Sequence, residues 1–290
     1  MIDEEGNQSH SELNGREGIM SEPPGRSLRV QLASTLLAPS TTTFTQRALL
    51  TQPSSRTERI KARYFDENDH PYQHLEREIE RYLSPEDTVL EAGCGRNAEV
   101  LSKYRGKAKR LIGVDPVEFT LAEGLEEIEL QRGDIGNTGL PSNSVDLVIS
   151  RALMEHIQKP RPAFAEIQRV LKPGGHYVYL VPNLWDYGSL VALATPNALH
   201  PAIVKFVEGR ELNDTFPAYF RCSTPGSINN YCDSTGLELV KCEHLGQYPA
   251  YFQFNAFLFW LATGYEKLIS GVDALKFLRG WLLVVVRKPD

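Results

Sequence analysis

The chain has 290 residues, a formal net charge of −6 and hydrophobic residues at 41% of its positions. This length is sufficient for one large domain or two small ones with a full hydrophobic core. The acidic balance and the lack of a long basic run argue against nucleic-acid backbone binding as the main task. Its four cysteines include no C-x-x-C pair. We therefore predict reduced thiols, no metal site of the zinc-knuckle type and a cytoplasmic location.

The first 56 residues differ in composition from the rest of the chain. They are rich in Ser, Thr, Pro, Gln and Gly and poor in aromatic residues. Such a segment cannot bury enough apolar surface to offset its ordering entropy. We therefore predict a disordered tail over residues 1–56 and one domain over residues 57–290. Residues 23–57 contain arginines but no acidic residue, which is also typical of organelle transit peptides, although the acidic first residues favour a tail.

From about residue 58 the sequence alternates between helical and strand patterns. Apolar spacing predicts helices over residues 72–83, 96–104 and 161–171, the last of them ended by the sequence KPGG. Short apolar runs predict strands over residues 88–92, 110–115, 127–131, 144–150, 176–181, 237–242 and 281–286. Strands that alternate with helices in this way predict a doubly wound α/β fold with a mostly parallel sheet.

Glycines and acidic residues stand at the predicted carboxyl ends of the strands, where ligands bind in such sheets. Gly93 and Gly95 follow the first strand, Asp115 ends the second, and Asp134 follows the third. Carboxylates here disfavour a phosphate. They favour a ligand that carries hydroxyls, amines and a positive centre.

The glycine loop by itself also fits the dinucleotide pattern G-x-G-x-x-A, with Asp115 as the ribose-binding acid. That pattern would predict a nicotinamide-dependent oxidoreductase. Glu91 argues against this alternative, because an acid two residues before the first glycine faces a pyrophosphate unfavourably. It suits the ammonium group of an amino-acid-bearing cofactor, while Asp134 and the Ile135 backbone suit an adenine ring. A non-catalytic module that only binds the cofactor is a third alternative.

The strings VLEAGCGRN, LIGVDP, GDI, LPSNSVDLVIS, ALMEHI and EIQRVLKPGG follow one another over roughly residues 77–182. In this order and spacing they resemble class I S-adenosylmethionine-dependent methyltransferases of the type 11, ubiquinone-biosynthesis-like group. The resemblance implies a Rossmann-like fold with a seven-stranded sheet, an antiparallel last strand, and S-adenosyl-L-methionine as the cofactor. It also implies a cofactor site formed by Glu91, Ala92, Gly93, Cys94, Gly95, Asp115, Pro116, Asp134, Ile135, Ser150 and Arg151. Asn97 stands where many members have a glycine, so we expect a modified turn there.

Methyl transfer from a sulfonium needs mainly alignment and exclusion of water, and a base only if the acceptor must lose a proton. His156, just past the fourth strand, is the candidate base. An equally weighted alternative is that Glu155 and His156 only orient the following segment. The Asn-Pro-Pro-aromatic motif of nucleic-acid amino methyltransferases is absent after the fourth strand. We therefore expect a small-molecule acceptor and no nucleic acid.

The C-terminal part should determine the choice of acceptor, through insertions over about residues 186–235 and 245–279. Residues 245–265 contain no Asp, Glu, Lys or Arg and are crowded with aromatic residues. We predict that this segment is a lid over the acceptor site and that the acceptor is at least partly hydrophobic. A homodimer surface, a peripheral membrane contact and an ordinary core helix are the alternatives. Its glycines, proline and amides argue against a transmembrane segment.

Overall fold

The computed structural model describes residues 54–120, 126–194 and 216–290, all within one compact unit. The predicted tail over residues 1–56 therefore lies outside the described residues, apart from its last three positions. There the Ser54 hydroxyl accepts a hydrogen bond from the Thr57 N–H at 3.1 Å and caps the first helix, α1 (Ser55–Tyr64). This N-cap starts the helix two residues before the predicted domain boundary.

Seven strands form one sheet in the order β3-β2-β1-β4-β5-β7-β6. Neighbours among the first five strands run parallel, and β7 runs antiparallel to both β5 and β6. The predicted doubly wound sheet with one reversed strand is confirmed. The strands are β1 (Thr88–Ala92), β2 (Arg110–Asp115), β3 (Ile128–Arg132), β4 (Val145–Arg151), β5 (Leu171–Pro182), β6 (Glu238–Leu245) and β7 (Trp281–Arg287).

Helices cover both faces of the sheet. Leu75 and Ile79 of α2 (Pro71–Tyr82) pack into one buried cluster. Phe164 of α3 (Pro160–Val170) and Ile228 of α5 (Pro225–Thr235) pack into the other. Burial on both faces explains why the central strands are almost continuously apolar. The remaining described α-helices are α4 (Tyr187–Ala194) and α6 (Ala256–Gly271).

The segment after β1 is where the secondary-structure prediction fails. Instead of a helix over residues 96–104, the chain forms turns followed by a short 3₁₀ helix, Leu101–Tyr104. Gly95 and Ala98 have φ angles of 67° and 43°, and residues in this left-handed conformation cannot belong to a right-handed helix. The Leu101 N–H donates to the Glu91 carboxylate at 2.9 Å, so the segment winds around a buried side chain.

A second difference lies between α3 and β5. The sequence predicts a turn at Lys172-Pro173-Gly174-Gly175, whereas the structure begins β5 at Leu171, directly after α3. Gly174 still has the positive φ of 76° that the turn chemistry implied. The pairing of β4 with β5 shifts register between Val145 and Leu147. Strand β5 therefore continues through the glycines with an irregular pairing and does not end there.

Candidate cofactor site

The strand order reverses between β1 and β4, which is where a doubly wound sheet binds its ligand. A cavity of about 470 Å³ opens there, between the loop after β1 and the end of β4. This volume is within the range of small-molecule sites. The cavity is lined by Glu91, Gly93, Cys94, Gly95, Arg96, Asn97, Glu99, Val100, Ser102, Arg105 and Arg151.

Gly93 and Gly95 give the loop its shape. Their φ angles are 71° and 67°, which L-residues with side chains rarely adopt. A Cβ atom on Gly93 would also lie 2.7 Å from Cδ1 of Leu153, whereas one on Gly95 would meet no atom within 4 Å. Gly93 is therefore required for both conformation and space, and Gly95 for conformation alone.

Asp115 anchors this loop to the end of β2. Its carboxylate accepts hydrogen bonds from the Gly95 N–H at 2.8 Å and the Val117 N–H at 3.0 Å. The Asp115 side chain is buried. A carboxylate has about four acceptor positions, so these two bonds leave capacity for ligand hydroxyls.

Glu91 lies at the floor of the cavity and is only 2% exposed. Burial raises the pKa of its carboxyl group to about 8, against the smaller opposing effects of the Leu101 N–H and Arg151. In the free protein this group therefore holds a proton at neutral pH. A cation placed against it would favour the ionised form.

Arg151 forms the opposite wall of the cavity. Its guanidinium is 3.0 Å from the Glu99 carboxylate and lies over the Tyr72 ring, 4.6 Å from the ring centroid. The sequence indicated Arg151 but neither of these partners. No spacing rule could have found them, because they come from the irregular loop and from α2, far away along the chain.

Not every predicted cofactor residue lines this cavity. The Asp134 carboxylate accepts from the Gly136 N–H at 2.6 Å in an exposed turn, and Ile135 belongs to the core. The Ser150 and Tyr177 hydroxyls are hydrogen bonded to each other at 2.8 Å in the interior. Ala92 is fully buried in β1, and the Pro116 carbonyl accepts from the Arg132 side chain at 3.0 Å. Asp115 does not line the cavity either. The roles of all the predicted cofactor residues remain predictions.

His156 lies outside this cavity, after β4, where its Nδ1 is 3.0 Å from the Pro217 carbonyl oxygen. Because a carbonyl only accepts, Nδ1 donates this hydrogen bond. Nε2 is 3.7 Å from the carboxylate of Glu155, whose pKa burial raises to about 8. The Glu155 backbone carbonyl accepts from the Tyr219 and Phe220 N–H groups. The pair therefore fastens residues 216–220 beside the end of β4.

Residues 90–179 match the family model described as a methyltransferase domain. A Mycolicibacterium smegmatis protein named "Probable S-adenosylmethionine-dependent methyltransferase" is 34% identical over 100 residues, 33% of this chain and 38% of that protein. A sterol 24-C-methyltransferase from Pneumocystis carinii is 24% identical over 171 residues, 55% of this chain and 42% of that protein. Residues 90–179 of this chain therefore match a methyltransferase domain, and the two relatives are methyltransferases by name, one of them S-adenosylmethionine-dependent.

The solved structure of the (4+2)-cyclase SpnF matches the fold of the methyltransferase domain with a TM-score of 0.50 and 16% identity. That match covers 75% of this chain and 80% of the cyclase, and at this identity it shows the fold alone. The match to the two relatives spans less than half of their own length. The predicted family, its fold and its cofactor class are thus confirmed. The acceptor and the roles of single residues are not decided by these likenesses.

Within the described residues, no helix is long and apolar enough to cross a membrane.

Proposed function

We propose that the methyltransferase domain transfers the methyl group of S-adenosylmethionine to a small acceptor that is at least partly hydrophobic. The observation that carries this proposal is the cavity at the strand-order switch. Its glycine loop and buried carboxyl group lie within the residues that match the methyltransferase family. When bound, the cofactor supplies the reactive methyl group, and the chain supplies binding, alignment and exclusion of water.

In this proposal Glu91 binds the amino end of the cofactor, and Asp115 binds the ribose hydroxyls through its remaining acceptor positions. The Asp134 side chain and the Ile135 backbone bind the adenine. The chemistry of the donor set supports this assignment. A neutral Glu91 that ionises against an ammonium group stabilises a cationic ligand, whereas a pyrophosphate would face the same carboxyl unfavourably.

A second cavity, of about 590 Å³, supports a partly hydrophobic acceptor. It lies where the chain leaves β5, and the Glu155 carbonyl ties two of its lining residues to the end of β4. Its wall combines apolar side chains with hydroxyls and one guanidinium, which suits an apolar molecule with a polar end. It is lined by Leu184, Ala192, Leu193, Ala218, Tyr219, Phe220, Arg221, Thr224 and Ser227. The sterol named for the Pneumocystis carinii relative is an acceptor of this general kind.

His156 is proposed as the base for an acceptor that must lose a proton. The support is its position just after β4, where the Pro217 carbonyl oxygen lies 3.0 Å from Nδ1 and orients the ring. If His156 only positions residues 216–220, replacement by Gln should raise the acceptor KM. If it is the base, the same replacement should lower kcat and remove the acidic limb of the pH–rate profile.

Calorimetry with S-adenosylmethionine, its demethylated product and NAD tests the cofactor assignment. We expect micromolar binding of the first two. At neutral pH, binding should release up to one proton from Glu91, seen as an enthalpy that depends on the ionisation enthalpy of the buffer. The Glu91→Gln variant should lose this dependence. Binding of NAD alone would overturn the proposal in favour of an oxidoreductase.

Transfer of labelled methyl groups to metabolite and lipid extracts tests the reaction itself. We expect the label in the lipid-soluble fraction, as a partly hydrophobic acceptor requires. Label that appears only in the water-soluble fraction would contradict the acceptor class but not methyl transfer. Tight cofactor binding without any transfer would favour a binding module over an enzyme.

A further inference from the structure

Helix α6 exposes large apolar side chains and buries two polar ones, unlike a typical helix that borders water. Its buried face includes Thr263 and Glu266, which are 2% and 1% exposed. Phe257 and Trp260 on its outer face are 65% and 53% exposed. An ordinary surface helix places its charged side chains outward and its large apolar side chains inward. The outer face of α6 therefore suits an apolar environment better than water.

This outer face, called here the α6 face, consists of Phe257, Leu258, Trp260, Leu261 and Leu268. The Phe257 and Trp260 rings stack with centroids 6.4 Å apart, so they present one continuous aromatic surface. Helix α4 lies beside α6, because the Tyr187 ring contacts the Tyr265 ring at 5.8 Å. It adds Leu190 and Leu193, both more than two-fifths exposed. A patch of this kind marks a contact with a membrane or another protein.

The α6 face does not cover the cofactor cavity. Neither Phe257 nor Trp260 is among the residues that line either described cavity. Both side chains are exposed to solvent. The buried face of α6 contacts the protein through Phe259 and Ile269 instead. The lid over residues 245–265 remains a prediction, and the exposure of these two rings is a separate observation that it does not explain.

Positive charge borders the α6 face. Helix α1 packs beside the start of α6, where the Thr57 hydroxyl donates to the Gln253 carbonyl at 3.3 Å. The Lys267 ammonium, on α6 itself, lies 4.7 Å from the centroid of the Phe65 ring at the end of α1. Four of the ten residues of α1 are basic and only Glu58 is acidic, in a chain whose net charge is −6. Basic side chains beside an aromatic helix face complement anionic lipid headgroups.

We propose that the α6 face docks on the surface of an anionic lipid bilayer. Helix α6 lies in the plane of the headgroups, with its aromatic side chains in the boundary region, and α1 contacts the negative surface. An isologous dimer fits the charges less well, because it would bring two copies of the basic α1 to the rim of one interface. The proposal rests on these contacts and not on the proposed methyl transfer. Docking would also bring α4, whose Ala192 and Leu193 line the second cavity, close to lipid.

Flotation of the full chain with vesicles tests this proposal. We expect binding to phosphatidylcholine vesicles that contain phosphatidylserine and much weaker binding to phosphatidylcholine alone. The double variant Trp260→Ser, Leu261→Ser should bind about tenfold more weakly or worse, because it removes apolar contact area. The double variant Arg59→Gln, Arg63→Gln should lose about fivefold for each charge removed. Val240→Ser is the matched control, because Val240 is 50% exposed on the edge strand β6 and is not part of the α6 face.

Circular dichroism and cofactor calorimetry on the same variants show whether each one is folded, independently of lipid. Failure of the folded parent protein to bind anionic vesicles would overturn the docking proposal and leave the proposed function intact. Equal binding to both vesicle types would overturn the role of α1. If Trp260→Ser, Leu261→Ser converts a dimer to a monomer in sedimentation velocity and leaves vesicle binding unchanged, the face joins two copies of the chain.

Discussion

Two buried carboxyl groups, Asp115 at the cofactor site and Glu266 in the C-terminal helices, have opposite surroundings. Asp115 accepts hydrogen bonds from two backbone N–H groups. Glu266 is 1% exposed and lies beside the Tyr187 hydroxyl and the Gln247 backbone. Burial and the nearby charge of Asp186 raise the pKa of Glu266 to about 8, against the smaller opposing effects of these two groups. Similar burial thus gives a carboxyl held by two backbone N–H groups in one case and a carboxyl whose pKa is raised in the other.

The exposed surfaces of the two regions differ in the same way. At the cofactor site the strands β1 and β2 bury their apolar residues, and polar groups line the cavity. In the C-terminal helices, Thr263 and Glu266 are buried while Phe257 and Trp260 are exposed. The first region therefore suits a small polar ligand. The exposed side chains of the second suit the larger apolar surface proposed above.

The largest expected effect is a difference in the free energy of unfolding between substitutions on the two faces of α6. Phe259→Ala should reduce the free energy of unfolding by about 3–5 kcal/mol, because it leaves a cavity in a fully buried site. Phe257→Ala, two residues earlier and 65% exposed, should change it by less than about 0.5 kcal/mol. Urea unfolding of both variants measures the difference. Equal losses would mean that the outer face of α6 is packed against other protein, and the comparison would fail.

Replacement of Asp115 tests the cofactor side of the comparison. Asp115→Ala should weaken S-adenosylmethionine binding by about 1.5–3 kcal/mol, measured by calorimetry, because charged hydrogen bonds are lost. It should also lower the free energy of unfolding by about 1 kcal/mol, since the Gly95 and Val117 N–H groups lose their acceptor. Asp87→Ala is the control and should leave binding unchanged. Asp87 directly precedes β1, at the opposite ends of the parallel strands from the cavity. Unaltered affinity in Asp115→Ala would show that this carboxylate does not contact the cofactor.

Glu266 should make stability depend on pH in a defined direction. Because its pKa is raised in the folded protein, the neutral form stabilises the fold at low pH. That contribution is lost as pH rises from about 4.5, its ordinary value, through about 8. Glu266→Gln should therefore resemble the parent near pH 5 and exceed it by about 1–3 kcal/mol above pH 8.

Thermal unfolding across this pH range measures that difference. Glu166→Gln is the control of opposite sign, because Arg169 holds the pKa of Glu166 at about 2. This variant should be less stable than the parent at neutral pH. Parallel stability profiles for the parent and Glu266→Gln would show that folding does not raise the pKa of Glu266.

The smallest expected effect concerns the glycine loop. Gly95→Ala should cost about 1 kcal/mol of unfolding free energy, because alanine must adopt a left-handed conformation at a site with open space. Gly93→Ala should cost more, since its Cβ would also displace Leu153. Urea unfolding ranks the two variants. A larger loss for Gly95→Ala would indicate that the loop has a different conformation in solution.

The sequence by itself determined the seven strands, because apolar runs of four to seven residues suit strands that are buried on both faces. The bounds of β1 and β2 are the predicted ones, and the other predicted strands overlap their counterparts. The glycine motif after β1 also predicted the place of the candidate cofactor cavity. The order of the strands follows from the fold class, since parallel strands joined by right-handed crossovers allow few alternatives.

Only the tertiary structure decided which side chains meet. Glu99 and Tyr72 reach Arg151 from distant parts of the chain. The Glu91 side chain accepts from the Leu101 N–H, so the chain forms a loop around this side chain where a helix was predicted. The sequence also did not predict which side of α6 packs against the protein. A helix that is apolar nearly all round has no single face that its pattern assigns to the core. Packing against Phe259 and Ile269 left Phe257 and Trp260 outside, because only one side of α6 can contact the protein.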